Sequence, residues 1–205
     1  MSLKLYYVPG VCSLSPHIAL EESGLPYTTM LMDPATHTLA DGSDYYSINP
    51  LGYVPLLELA DGSRLREGLA IVQYIADQAP QKNLAPANGT LARYRLIEWL
   101  AFMSSELHKG FGPLFNPDAS DAFKAAVKTR LSGRFQWVDG ELKGQSDYLM
   151  GEHFTVADAY LFTICNWTAR VNLDISGLTH LAALRERIAK RPAVQAALRA
   201  EGLLK

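Results

Sequence analysis

The sequence predicts two unlike halves: an α/β half over residues 1–80 and an all-α half over 90–205, joined by a linker at 81–89. Three observations carry this. Short strand-like runs alternate with helical ones as far as Asp77. Between Pro80 and Gly89, two prolines, two asparagines and a glycine interrupt every periodicity. Beyond Thr90 apolar residues recur at helical spacing only.

The first run, Leu3-Lys-Leu-Tyr-Tyr-Val8, reads as a strand that turns through Pro9-Gly10 into a helix opening at Ser13. Pro16 suits the first turn, where a missing N–H costs nothing. Gly24 follows as the C-cap. Tyr27–Met32 is a second strand, rich in β-formers. After a polar, turn-rich stretch over 33–50, Val54–Leu59 and Ser63–Arg66 flank Ala60-Asp61-Gly62, and Asp-Gly between extended runs signals a hairpin. Glu67–Asp77 is a helix closing near Pro80. The order βαβ then ββα implies a small mixed sheet with helices packed on it, a thioredoxin-like arrangement.

In the second half Leu96, Leu100, Met103 and Leu107 fall four, three and four residues apart, so a helix runs from Thr90 to about Leu107 and His108-Lys109 ends it. Phe123, Val127, Leu131, Phe135, Val138 and Leu142 repeat the pattern over 121–143. A third helix starts at Phe154-Thr-Val-Ala-Asp158, with Thr155 as N-cap and Asp158 completing a capping-box-like pair. Leu178–Lys190 is a fourth helix, and Arg191-Pro192 precedes a short terminal one.

Composition bounds the partners. The 205 residues are 48% hydrophobic with a formal charge of −2, and without basic clusters neither nucleic acid nor an anionic membrane is expected as the main partner. No uncharged run approaches the ~20 residues that span a bilayer, and the N-terminal residues lack a signal core. Two cysteines far apart, Cys12 and Cys165, fit free thiols in a reducing cytoplasm. No His/Cys cluster has metal-ligand spacing, so no metal is expected.

Four places carry chemistry. Cys12 stands at a helix N-terminus, where unpaired amides and the positive end of the dipole favour thiolate over thiol. A small half-buried turn residue would occupy the same position. Pro55 opens the third strand, and a cis Val54–Pro55 bond would leave the backbone N–H and C=O of Val54 free for an extended peptide-like ligand. Glu67 and Gly68 mark a strand-to-helix turn. Its amides suit an anion, its carboxylate an ammonium, and Gly68 allows close approach; plain helix capping by Glu67 is the alternative. His108, at a helix end beside the apolar stripe, is either a dipole-favoured surface residue or, if it faces Cys12, a group that stabilises a thiolate or shuttles a proton.

The runs Leu5–Leu20, Asn49–Pro55, Glu67–Asp77, Ile97–Leu100, Glu106–Gly110, Phe154–Phe162 and Glu201–Leu204, in this order, resemble cytosolic glutathione S-transferases of the bacterial beta class. The resemblance runs from Leu3 to the C-terminus. It implies a thioredoxin-like glutathione-binding domain, an all-helical domain lining the pocket for a hydrophobic electrophile, a homodimer, and glutathione as co-substrate with no other cofactor. It further implies that Cys12 contacts the glutathione sulfur and can form a mixed disulfide with it. Val54 would pair with the cysteinyl backbone ahead of cis-Pro55, and Glu67 and Gly68 would hold the γ-glutamyl end. Ser105, Glu106, His108 and Lys109 would approach from helical domains, some from the neighbouring subunit. His37 replaces a lysine that often reaches the glycyl carboxylate, which makes that contact pH-dependent. Ala101 replaces an asparagine at the groove edge. The expected activity is conjugation of glutathione to hydrophobic electrophiles, with thiol–disulfide exchange through Cys12; a non-catalytic binder of glutathione or apolar ligands, or an interaction protein, is the alternative.

Overall fold

A computed structural model describes residues 2–144 and 147–204, which divide into two units. One takes the residues up to 85 together with those from 191 onward; the other is 86–190.

In the first unit β1 (Leu3–Tyr7), β2 (Tyr27–Leu31), β3 (Leu56–Glu58) and β4 (Arg64–Arg66) form a sheet of order β2-β1-β3-β4. β1 runs parallel to β2, with Leu3 opposite Tyr27, and antiparallel to β3, with Leu5 opposite Leu57. β3 and β4 are antiparallel, joined by the expected hairpin, in which Gly62 takes φ 86°. Side chains alternate across the strands. Leu5 and Leu57 are fully buried, while Tyr6, Val8 and Leu56 join Met32, Leu39 and Tyr45 in a second cluster. Helices α1 (Leu14–Ser23) and α2 (Gly68–Gln78) pack on each other. Gly24 ends α1 in the left-handed conformation, its N–H donating to Leu20 O.

The terminal helix α8 (Pro192–Ala200) differs from expectation. Residues 191–205 were expected in the helical half, but they group with the first unit, α8 lying along α1. Polar anchors explain this. Arg191 grips the Glu22 carboxylate through Nε at 2.5 Å and Nη2 at 2.9 Å. Glu201, buried, accepts from the Gly10 N–H and from His17 Nδ1, both at 2.8 Å.

The second unit holds α3 (Leu91–Phe102), a π-helical segment over Met103–His108, α4 (Lys109–Phe115), α5 (Asp121–Leu142), α6 (Val156–Arg170) and α7 (Thr179–Ala189). Leu96, Leu100, Met103 and Leu107 are all fully buried, as their spacing predicts. The helix does not stop at His108-Lys109, however; it continues through the π segment to Phe115. Gly110 there is a packing glycine: a Cβ on it would come within 2.7 Å of Leu131 Cδ2, so the glycine serves close helix–helix approach and not termination. On α5, Leu131, Phe135, Val138 and Leu142 are buried, but Phe123 is exposed. α6 is buried on nearly every face, which marks the centre of a bundle. Its capping box is present: the Asp158 carboxylate accepts from Thr155 N–H at 2.8 Å and Thr155 Oγ1 at 2.9 Å, and also from Leu149 N–H at 2.8 Å.

Candidate active site

In the first unit the turn carrying Cys12 is fixed at several points. Ser13 Oγ donates to Val8 O at 3.0 Å and accepts from Val8 N–H at 3.2 Å. Gly10, at φ 71°, is held by the Glu201 carboxylate. Facing this turn is the segment before β3, where Val54–Pro55 is cis. Tyr45 Oη and Asn49 Nδ2 both donate to Tyr53 O, at 2.8 and 2.7 Å, which fixes the neighbouring peptide. The Cys12 thiol then donates to Val54 O at 3.2 Å.

That contact corrects the expected charge state. The amides of Cys12 and Ser13 do pull the thiol pKa down, but burial outweighs them and the nearby Glu67 carboxylate adds to it, so Cys12 is pushed up to about 11. A thiol donating to a carbonyl is the protonated form, and desolvation disfavours the charged one. Cys165 lies in the core of α6, and burial pushes it up to about 12. Both cysteines are free.

Glu67 lies at the N-cap of α2 with φ 66°. For a residue with a side chain this conformation costs about 1–3 kcal/mol and persists where the surroundings impose it, often at functional sites. Its side chain makes no capping hydrogen bond; its carbonyl accepts from Ala70 and Ile71 N–H at 3.0 Å. The carboxylate is exposed. Gly68 sits against Pro55, since a Cβ there would be 3.8 Å from Pro55 Cγ. Cys12, Val54, Pro55, Glu67 and Gly68 thus share one neighbourhood. His37, at φ 55°, stacks on Tyr46 with ring centroids 4.6 Å apart. Both rings crowd Gly52, whose Cα hydrogen faces them where a Cβ would lie 2.8–3.0 Å away. His37 therefore borders the loop leading to Val54.

In the second unit the four expected residues point in different directions. His108 Nδ1 shares a 2.7 Å hydrogen bond with Tyr160 Oη, and its ring lies edge-on to Trp167 at 4.9 Å. Burial, helped by the Lys109 ammonium, pulls its pKa down to about 4. A neutral imidazole cannot supply the cationic stabilisation of a thiolate that a helix-end histidine would. Glu106 is held by Arg130 Nη2 at 2.9 Å and Arg134 Nε at 2.8 Å, both from α5. Ser105 and Lys109 are exposed and line a groove of about 320 Å³ with Phe123 and Arg130. Trp167 also packs edge-on against Phe111 at 5.6 Å, and with Tyr160 these rings are buried in the core of the helical unit around His108.

Sequence reasoning missed Tyr45, Asn49, His17 and Glu201 as positioning groups. Asn49 was readable as a turn residue and Glu201 as part of a terminal motif, but neither signal named a partner. Among the described residues no group of three or more His, Cys, Asp or Glu side chains could hold a metal ion.

Known proteins are similar to this chain over nearly its whole length. A family model described as glutathione S-transferase, N-terminal domain, matches residues 11–78, and one described as glutathione S-transferase, C-terminal domain, matches 102–192. The chain is 47% identical over 201 residues to glutathione S-transferase GstA of Escherichia coli O157:H7, covering 98% of this chain and 100% of that protein. Among solved structures, a ternary complex of BphK, a bacterial glutathione S-transferase, matches with a TM-score of 0.95 at 55% identity, covering 98% and 100% of the two chains. A bacterial beta class glutathione S-transferase of Sphingomonas chungbukensis matches with a TM-score of 0.94 at 47% identity and the same coverage.

Proposed function

The chain belongs to the glutathione S-transferase family, and from that premise we propose that it conjugates reduced glutathione to hydrophobic electrophiles. The observation that carries this for the chain itself is the Cys12 thiol set 3.2 Å from the Val54 carbonyl, beside cis-Pro55 and the Glu67-Gly68 turn. An extended tripeptide with an ammonium and carboxylates needs such a set: backbone for the cysteinyl residue at Val54, the Glu67 carboxylate for the γ-glutamyl ammonium, amides at Gly68 for its carboxylate, and His37 for the glycyl carboxylate. The raised pKa of Cys12 helps here. Two adjacent thiolates repel, whereas a protonated Cys12 is able to re-aim its S–H at the glutathione sulfur and stabilise that thiolate as the nucleophile.

Thiol–disulfide exchange is the second activity of this site. The Cys12 sulfur, giving up its proton to solvent, attacks the glutathionyl sulfur of a mixed disulfide GS–SR, the S–S bond breaks, and RS⁻ leaves and takes a proton. A second glutathione thiolate then attacks the Cys12–SG bond, yielding GSSG and freeing Cys12. The helical unit is assigned the hydrophobic electrophile, and Ser105, Glu106, His108 and Lys109 are proposed to approach glutathione, in the same or the neighbouring subunit. We assign the protein to the cytoplasm as a homodimer needing no cofactor besides its co-substrate. Among the described residues both cysteines are free thiols, and no helix is long and apolar enough to cross a membrane.

Retention on immobilised glutathione, followed by conjugation and disulfide-reduction assays on wild type and Cys12→Ala, tests the reading. Turnover in both assays, with disulfide reduction abolished by the substitution, is expected. Retention without turnover would make the protein a binder. Sedimentation at micromolar concentration should give a species near twice 22.6 kDa; a monomer that still binds glutathione would remove the dimer from the proposal.

A further inference from the structure

His108 sits on an unusual stretch of backbone. The π-helical segment Met103–His108 interrupts the long helix, and such wide turns recur at functional sites. At the end of that segment the imidazole packs against α6. Its Nδ1 shares the 2.7 Å hydrogen bond with Tyr160 Oη, and its ring meets those of Tyr160 and Trp167 edge-on at 5.9 and 4.9 Å. The ring is half-buried, and among the described residues Nε2 has no hydrogen-bond partner of its own.

Tyr160 lies buried on the central helix of the bundle, where a phenylalanine would fill the same space. Burying a hydroxyl costs free energy unless it is hydrogen-bonded, and this one bonds His108. Acidity fixes the direction of that bond. A phenol, of pKa about 10, is a better donor than a neutral imidazole N–H, and an imidazole nitrogen, of pKa about 6.5, is a better acceptor than a phenol oxygen. The favoured arrangement is O–H donating to Nδ1. Burial, with the Lys109 ammonium alongside, keeps the ring neutral at pH 7. A neutral ring carries a single N–H, so the proton lies on Nε2.

We propose that Tyr160 is a positioning residue of the transferase site: its hydroxyl locks His108 in the Nε2–H tautomer, so that His108 donates this hydrogen bond to the glutathione thiolate. The assignment rests on the proposed approach of His108 to glutathione. A hydrogen bond to the charged form of a group favours that form, so the Nε2–H lowers the pKa of the glutathione thiol. Neutrality helps. An imidazolium beside the sulfur could protonate and quench the nucleophile, whereas a neutral imidazole N–H is too weak an acid to do so. Tyr160 touches neither the sulfur nor the electrophile in this scheme and acts only through His108.

Long-range proton–nitrogen correlation NMR on the histidine-labelled, ligand-free protein reads the tautomer directly, with the His108 signals identified by their loss in His108→Ala. At pH 7 Nδ1 should resonate as a bare nitrogen and Nε2 as a protonated one, and in Tyr160→Phe the two shifts should move towards each other. The thiol pKa of bound glutathione, followed by thiolate absorbance, should rise by about 0.5–1 in Tyr160→Phe. Below that pKa, kcat should fall about 3–10-fold, with KM for glutathione within about twofold. In a His108→Ala background, Tyr160→Phe should shift the thiol pKa no further, because a residue that acts through the histidine has nothing left to act on. A wild-type His108 protonated on Nδ1, an unchanged thiol pKa in Tyr160→Phe, or a further rise in the His108→Ala background would each overturn the proposal. Failure of the wild type to bind glutathione is a separate outcome: it removes the transferase reading and the donor role with it, while the spectra still decide the tautomer.

Discussion

In the ligand-free protein Cys12 should be an unreactive thiol at neutral pH, and the size of the effect follows from its surroundings. With burial and the Glu67 carboxylate pushing it up to about 11, the thiolate fraction at pH 7 is roughly 10⁻⁴, against about 3% for a free cysteine of pKa about 8.5. The more basic thiolate is intrinsically the better nucleophile, by roughly tenfold over that interval. Alkylation by iodoacetamide should therefore run about 30-fold slower than for free cysteine, before steric hindrance is counted. Rates read at the level of the Cys12 peptide by mass spectrometry should climb about tenfold per pH unit until near pH 11. Glu67→Gln should accelerate the reaction by removing the anion that opposes ionisation. The same shift enters stability with a definite sign. A group whose pKa is raised in the folded state stabilises below its unfolded value and loses that contribution as pH rises through about 11. A plateau in the alkylation rate below pH 8, or a rate equal to that of free cysteine, would refute the reasoning and restore the helix-terminus thiolate.

Three further outcomes are expected. His108, pulled down to about 4 by burial, should show no imidazole titration by NMR between pH 6 and 8; its contribution to stability is present above pH 6.5 and lost as pH falls towards 4, so a titration midpoint near 6.5 would place the ring in solvent. Asp158→Ala should cost about 2–4 kcal/mol in urea unfolding, because the Leu149 and Thr155 N–H groups lose their buried acceptor; a loss below about 0.5 kcal/mol would reduce the capping box to an accessory. Glu201→Ala should cost a similar amount by removing the buried carboxylate that accepts from Gly10 N–H and His17 Nδ1, and should speed Cys12 alkylation by loosening its turn, whereas unchanged alkylation would separate α8 from the site.

What was legible in the sequence was local. Asp61-Gly62 names its own hairpin because the turn's backbone demands those residues, and Leu96, Leu100, Met103 and Leu107 name a buried face because four side chains on one stripe must find cover. The same holds for Thr155 and Asp158, which satisfy each other across three residues. The readings that changed depended on partners far along the chain. Gly10 and Glu201 are 191 positions apart, so nothing near either residue indicates that the terminal helix belongs with the sheet. His108-Lys109 looks like a helix end because the apolar stripe runs out at Leu107, yet the helix continues through Gly110, which faces Leu131 on another helix. Cys12 is the sharpest case. Its local context, two amides at the start of a helix, favours the thiolate, and that influence is present in the structure. The opposing influence, burial against Val54 with the Glu67 carboxylate nearby, arises only when β3 and α2 fold onto the turn. The sequence pattern thus identifies the candidate thiol, while the tertiary fold decides in which protonation state it waits. In the proposed reaction, a site that keeps its own thiol protonated leaves the glutathione sulfur as the better-placed nucleophile, which is the division of labour a transferase needs.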